Sequence, residues 1–192
     1  MVRILRDESY RVGPVYYLFN YYSKNHYPDD AISEEDRFIR NGILNFKSGI
    51  DSENRNAVIN AMVEAVMQIP GINSGTVALF CVPASSQDSS ALRYGELLAR
   101  LRQNCPRVHF VNDQVVFTGE KQRKHLQSDR SAGSCSCSHF YIEGRIDEPN
   151  VVLIDDIVTQ GHTLLEVSQL IDNQFGPKNY CCMTLARTVY NR

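Results

Sequence analysis

Two adjacent carboxylates, Asp155 and Asp156, directly follow a run of four apolar β-forming residues, Val151 to Ile154. Such a run predicts a strand that is buried on both faces, as in a parallel sheet. Because open α/β sheets bind ligands outside the carboxyl ends of their strands, we expect both acids to face a binding crevice. Carboxylates accept hydrogen bonds from sugar hydroxyls and are also ligands for Mg²⁺.

The residues after this pair, Val158 to Thr163, have the composition of a short turn that enters a helix. Gly161 permits a positive φ or a close approach of a ligand to the backbone. Amides and the dipole at a helix start favour an anion, and Thr159 and Thr163 add hydroxyl donors. The segment therefore suits a sugar phosphate. The alternative is that the acids only cap the turn, since strand–glycine–helix junctions are common.

The chain contains neither the Gly-Lys-Ser/Thr of a Walker A loop nor a G-x-G-x-x-G fingerprint. Its segment from Val151 to Thr163 instead resembles the motif with which type I phosphoribosyltransferases bind phosphoribosyl pyrophosphate (PRPP). That motif is a hydrophobic strand, two acids, two apolar residues, Thr, a small hydroxyl residue, Gly, any residue and Thr. Gln160 departs from the pattern, because it stands at the small hydroxyl position.

Further segments resemble the ComF-type, competence-associated group of phosphoribosyltransferase-like proteins. These segments are 43–49, 81–83, 94–99, 121–130, Phe140 and 184–189. The resemblance implies that Asp155 and Asp156 bind the ribose hydroxyls and act in catalysis, and that they hold Mg²⁺ directly or through water. It implies that the turn holds the 5′-phosphate. The predicted PRPP-binding residues are Asp155, Asp156, Val158, Thr159, Gln160, Gly161, His162 and Thr163.

The same resemblance places a pyrophosphate loop at Ala84, Ser85 and Ser86, although the arginines usual in that loop are missing here. It also suggests cations near the phosphates or on a lid over the site. The candidates for these cations are Lys47, Lys121, Arg123 and Lys124. The alternatives are an ordinary polar loop after a strand and solvated surface charges.

Strand and helix patterns alternate from Thr76 onward, which favours a parallel sheet covered by helices. The patterns predict a helix start at Ser33, helices over 54–69, 92–101 and 163–175, a loop over 83–90, and strands over 76–82, 140–142, 151–154 and 180–186. The patterns thus predict an α/β fold with a mostly parallel central sheet and helices on both faces. The resemblance implies that this fold is of the type I phosphoribosyltransferase kind, with a small N-terminal hood at residues 1–42 and the core at residues 43–192.

The composition is that of an ordinary globular protein, with 192 residues, 43% hydrophobic and 22% charged. A net charge of −2 gives no overall attraction to nucleic acid or to an anionic membrane. No apolar run approaches the roughly 20 residues of a membrane span, and the charged N-terminus predicts a cytoplasmic protein. The six cysteines form neither a C-x-x-C zinc pattern nor a disulfide framework, which predicts reduced thiols. Redox sensing or metal binding by Cys135 and Cys137 is the alternative.

The expected function is phosphoribosyl transfer from PRPP and Mg²⁺ to a small nucleophile, with release of pyrophosphate. Gln160 and the unusual loop at 84–86 keep a second interpretation open, a non-catalytic regulator that binds PRPP or a nucleotide. The ComF resemblance leaves a third, a module associated with DNA uptake. The acceptor is not predicted, and a homodimer is an open expectation.

Overall fold

The computed structural model describes residues 2–118, 137 and 139–190. This part of the chain has eight strands and four α-helices. The strands are β1 (Leu5–Asp7), β2 (Val15–Tyr21), β3 (Val77–Cys81), β4 (His109–Phe110), β5 (Val115–Phe117), β6 (Phe140–Ile142), β7 (Asn150–Val158) and β8 (Asn179–Thr188). The helices are α1 (Glu34–Ser48), α2 (Glu53–Met67), α3 (Gln87–Asn104) and α4 (His162–Phe175). None of these helices is both long and apolar enough to cross a membrane.

Six strands form one sheet in the order β1-β2-β8-β7-β3-β4. All neighbours in this sheet run parallel except β1, which is antiparallel to β2. β5 and β6 form a separate antiparallel pair. The predicted α/β class and the mostly parallel central sheet are confirmed.

The residues of the central strand β7 alternate between two hydrophobic cores. Val152 and Ile154 pack in one core with side chains of α1, α2 and α3, whereas Val151 and Leu153 pack in the other with side chains of α4. Both faces of the sheet are therefore covered by helices, as predicted. Burial on both faces explains why this strand reads as a continuous apolar run.

β3 and β7 are neighbours, but the chain leaves them in opposite directions. From β3 it passes through α3 to β4 on one side, and from β7 it passes through α4 to β8 on the other. Such a switch in direction opens a crevice between the carboxyl ends of the two strands. The predicted motif lies at this crevice, because Asp155 and Asp156 are near the end of β7.

The first 42 residues are continuous with the sheet, because β2 pairs with β8 from Val15↔Cys182 to Tyr21↔Thr188. The boundary predicted between residues 42 and 43 falls inside α1. The role of this segment as a hood over an acceptor stays a prediction.

Two helix starts illustrate how serine caps define the elements around the site. Ser33 accepts a hydrogen bond from the Asp36 amide, which confirms the predicted start of α1. Ser86 accepts one from the Ser89 amide in the same way, and α3 therefore begins at Gln87. The predicted loop over 83–90 was too long for this reason.

The packing of α1, which carries Lys47, depends on a close approach to α2. Gly42 is buried at this contact, and a Cβ placed on it would lie 2.5 Å from the Asn54 carbonyl oxygen. A backbone atom cannot move away as the end of a flexible side chain can. A glycine is therefore required at this position, although glycine is a weak helix former.

We expect Gly42→Ala to destabilise the protein by roughly 1 to 3 kcal/mol, because overpacking outweighs the gain in helix propensity. Gly95, in the middle of α3, is the matched control, since a Cβ there meets no atom within 4 Å. Gly95→Ala should stabilise the protein by about 0.5 to 1 kcal/mol. Urea unfolding measures the free energy of unfolding of both variants. Equal changes of the same sign would mean that the contact between Gly42 and α2 does not restrict a side chain.

Candidate functional site

A cavity of about 160 Å³ lies where β7 ends and α4 begins. It is lined by Asp155 and by residues 157–164. The structure therefore brings together seven of the eight predicted PRPP-binding residues around one concave surface. These seven residues are Asp155, Val158, Thr159, Gln160, Gly161, His162 and Thr163.

The first turn of α4 has no internal cap. The other three α-helices each begin after a serine whose hydroxyl accepts an amide hydrogen bond. The residue before α4 is Gly161, which has no side chain to accept, and no acidic residue lies in the first turn. The first helical hydrogen bond joins the Leu165 amide to the Gly161 carbonyl. The amides of residues 162–164 are left for an external acceptor, and an anion suits them best.

Gly161 is required at this turn for two independent reasons. Its φ of +72° lies in the left-handed region that other residues rarely adopt. A Cβ on Gly161 would also lie 2.7 Å from Cδ1 of Tyr10. Tyr10 lies between β1 and β2, so the N-terminal segment packs directly on the turn. This contact could not be predicted from the sequence, because nothing distinguishes Tyr10 from the other tyrosines of the N-terminal segment.

Asp155 lines the cavity and holds a carboxylate in a largely buried place. Its Oδ1 accepts a hydrogen bond from the Asp156 amide at 2.8 Å, and the Tyr94 hydroxyl lies 3.5 Å away. Burial first, and the adjacent Asp156 charge second, raise the pKa of Asp155 to about 7. This carboxyl therefore gains or loses its proton near neutral pH.

Asp156 is buried and does not line the cavity. Its Oδ1 accepts a hydrogen bond from the Ile157 amide at 2.6 Å. Its Oδ2 lies 2.7 Å from Arg93 Nη1 and 3.5 Å from Lys47 Nζ. Lys47, predicted as a cation near the phosphates, is thus the partner of a carboxylate in this state.

Arg93 was missed by sequence reasoning. Arg93 lies in the second turn of α3. The segment of this helix that resembles the ComF-type group, residues 94–99, begins just after it. Nothing distinguishes it from the other arginines of the chain until α3 is packed against the end of β7. Only its place in the helix that follows β3, next to the crevice, could have suggested Arg93 as a site residue.

The predicted pyrophosphate loop follows β3 at the same edge of the sheet, but some of its polar groups are engaged by the protein itself. The Ala84 amide donates to Ser90 Oγ at 2.8 Å, and the Ala84 carbonyl lies 2.8 Å from His139 Nε2. Ser86 caps α3, whereas Ser85 is exposed. None of the three loop residues lines the 160 Å³ cavity.

Four residues named from the sequence lie outside the described part of the chain. They are the candidate lid cations Lys121, Arg123 and Lys124, and Cys135 of the cysteine pair.

The donor set at the end of β7 fits Mg²⁺ better than a transition metal. In residues 2–118, 137 and 139–190, no three His, Cys, Asp or Glu side chains are grouped as a metal site would need. Mg²⁺ keeps several waters and needs only one or two carboxylates. Asp155, which lines the cavity, meets that need, whereas Oδ2 of Asp156 is held by Arg93 and Lys47.

A scan against protein-family models found no matching family, and a search of curated proteins found no matching protein.

The raised pKa of Asp155 predicts how stability changes with pH in the metal-free protein. Because the unfolded carboxyl ionises near pH 4 and the folded one near 7, this group makes the folded state less stable as pH rises between those values. Asp155→Asn removes the effect. We expect its stability relative to wild type to increase by roughly 2 to 4 kcal/mol from pH 4 to pH 8. Urea unfolding in EDTA measures this, and a constant difference across that range would contradict the buried carboxyl.

Gly161→Ala should destabilise the protein by roughly 1 to 3 kcal/mol through the positive φ and the clash with Tyr10. Tyr10→Ala combined with Gly161→Ala removes the clash but leaves the backbone strain. The cost of Gly161→Ala should therefore be smaller in a Tyr10→Ala background than in wild type. Thermal unfolding of the four proteins checks this, and equal costs in both backgrounds would mean that Tyr10 does not pack on the turn.

Proposed function

We propose that this protein is a phosphoribosyltransferase that binds PRPP with Mg²⁺ and transfers the phosphoribosyl group to a small nucleophile. The observation that carries the proposal is the single cavity lined by Asp155 and by the uncapped start of α4. A carboxylate for hydroxyl groups and a cradle of amides for a phosphate thus face one small space. The resemblance of residues 151–163 to the PRPP motif supports the same assignment.

The turn supplies the phosphate end of this site. The amides of residues 162–164 and the dipole of α4 favour the 5′-phosphate, and Thr159 and Thr163 line the same cavity with hydroxyl donors. Gln160 is exposed at the turn, where its side-chain amide can also donate. Gln160 departs from the motif, but its side chain is thus compatible with binding an anion.

The acids supply the sugar end. Asp155 faces the cavity and can accept hydrogen bonds from ribose hydroxyls, while Asp156 lies next to it under the surface. Bound Mg²⁺ would neutralise the phosphate charges of PRPP and stabilise the charge of the departing pyrophosphate. Asp155 would hold this ion better above neutral pH, because its carboxyl must first lose a proton.

In the reaction, the bond between C1 of the ribose and the pyrophosphate oxygen breaks, and pyrophosphate leaves with the electron pair. The nucleophile forms a new bond to C1 with its own electron pair and loses its proton to solvent. Positive charge develops on the ribose ring between these events. The carboxylates near the ring stabilise that charge, and the turn holds the 5′-phosphate so that C1 stays in place.

One observation favours a second function, a regulator that binds PRPP without turning it over. The Ala84 amide and the Ser86 hydroxyl, at the predicted pyrophosphate loop, are engaged by the protein itself. A site without a grip on pyrophosphate would bind the sugar phosphate and leave the bond to C1 intact.

Calorimetric titration with PRPP and MgCl₂ tests the proposal. We expect wild type to bind, and Asp155→Asn and Gly161→Ala each to lose about tenfold or more in affinity, because a charged hydrogen-bond partner and the geometry of the phosphate turn are lost. Arg100→Gln, on the far part of α3, is the control and should bind like wild type. Absence of binding in wild type, or equal binding in all four proteins, would refute the site.

Release of pyrophosphate separates the two functions. Wild type should release it from PRPP when a suitable base or amine is present, and Asp155→Asn should release it far more slowly. PRPP binding without release across a broad set of acceptors would favour the regulator.

A further inference from the structure

Asp156, Arg93 and Lys47 form a cluster, here called the Asp156 cluster, at the crevice between β3 and β7. They come from three different elements, β7, α3 and α1. Both cations approach the same carboxylate oxygen, Oδ2, while Oδ1 is taken by the Ile157 amide. Within these three side chains, one carboxylate therefore pairs with two cations. Asp155, the adjacent residue of β7, also lies within electrostatic range of both cations.

The contact between Arg93 and Asp156 is close but incompletely hydrogen-bonded. Nη1 and Oδ2 are 2.7 Å apart, yet Oδ2 is buried without a partner in hydrogen-bond geometry. Nε of Arg93 is also buried without a partner in the described part of the chain. Buried ion pairs that lack their full hydrogen bonds contribute little net stability. A guanidinium with unused donors is suited to bind two phosphate oxygens at once.

The cations of the cluster can be reached from solvent, and the carboxylate cannot. The exposed fraction of the side chain is 37% for Lys47 and 19% for Arg93, but only 7% for Asp156. An anion entering the crevice would meet the two cations first. A metal ion could reach Asp156 only after those cations had moved.

We propose that Arg93 and Lys47 are the residues that bind the pyrophosphate group of the substrate, and that they leave Asp156 to do so. This inference rests on the proposed function. In the free protein the two cations hold Asp156 in an ion pair. When pyrophosphate binds, they turn to its oxygens, and the released carboxylate becomes available to Mg²⁺ and the ribose.

In this exchange, Lys47 of α1 and Arg93 of α3 supply the positive charge that the Ala84–Ser86 loop lacks. The exchange also couples the two ligands. Because pyrophosphate draws the cations away from Asp156, each ligand should increase the affinity for the other. The competing interpretation is that Arg93 only ties α3 to β7 and has no part in binding.

The test measures two ligands separately, MgCl₂ alone and inorganic pyrophosphate alone, by calorimetric titration. Arg93→Gln should weaken the binding of pyrophosphate by roughly tenfold or more, since a charge-assisted contact is lost. The same variant should bind Mg²⁺ several-fold more tightly than wild type, because Asp156 has lost a competing cation. A variant that merely damaged the fold would lose affinity for both ligands, so opposite changes identify the exchange.

Arg100→Gln is the matched control, because Arg100 is also an ion-paired arginine of α3 but pairs with Glu96, away from the cluster. It should leave both affinities unchanged. Should Arg93→Gln fail to fold, Lys47→Gln at the more exposed cation should show the same two changes with smaller size. Changes of the same sign for both ligands, or none, would overturn the exchange.

The results also separate this inference from the proposed function. If PRPP and pyrophosphate bind with unchanged affinity to Arg93→Gln, the exchange is wrong and the phosphoribosyl site remains. If wild type fails to bind PRPP but binds pyrophosphate through Arg93, the cation pair remains and the phosphoribosyl proposal is wrong.

Discussion

Two adjacent carboxylates, Asp155 half-buried and Asp156 buried, lie where two parallel strands part, and the rest of this site depends on them. β3 pairs with β7 only as far as Cys81 and Ile154, whereas β7 continues along β8 to Val158. Asp155 and Asp156 therefore emerge where one side of their strand is open. Carboxylates in such a place need a cation, a hydrogen-bond donor or a proton, because burial disfavours their charge. The helices beside the crevice supply these partners.

The two acids are adjacent in the chain, but their surroundings differ. Asp156 is buried and has two cations within 3.5 Å, whereas Asp155 faces the cavity and has the Tyr94 hydroxyl and a backbone amide beside it. Burial and the neighbouring charge of Asp156 raise the pKa of Asp155. Two residues that look equivalent in the sequence therefore differ in the structure: Asp155 lines the cavity, whereas Asp156 is buried in an ion pair.

At the other end of the cavity, the first turn of α4 lacks a capping side chain. Each of the other three α-helices begins with a serine that satisfies its first turn, but α4 begins after Gly161. The loss of a cap costs about 1 kcal/mol in helix stability, which a bound anion would restore. Tyr10 packs on this glycine, so the N-terminal segment is in contact with the turn before α4. A change in either one must affect the other.

Much of this arrangement could be predicted from the sequence, because it depends on residues close together in the chain. The apolar run of β7, the acids at its end, Gly161 at the turn and the helix after it are local patterns, and so is the serine cap of α1. Ser86 caps α3 as Ser33 caps α1, and it could also have been recognised from the sequence. The partners of Asp156 and the contact of Tyr10 were decided only by tertiary structure. They join segments far apart in the chain, and side-chain type alone does not tell which lysine, arginine or tyrosine the packing of helices and strands will bring to the crevice.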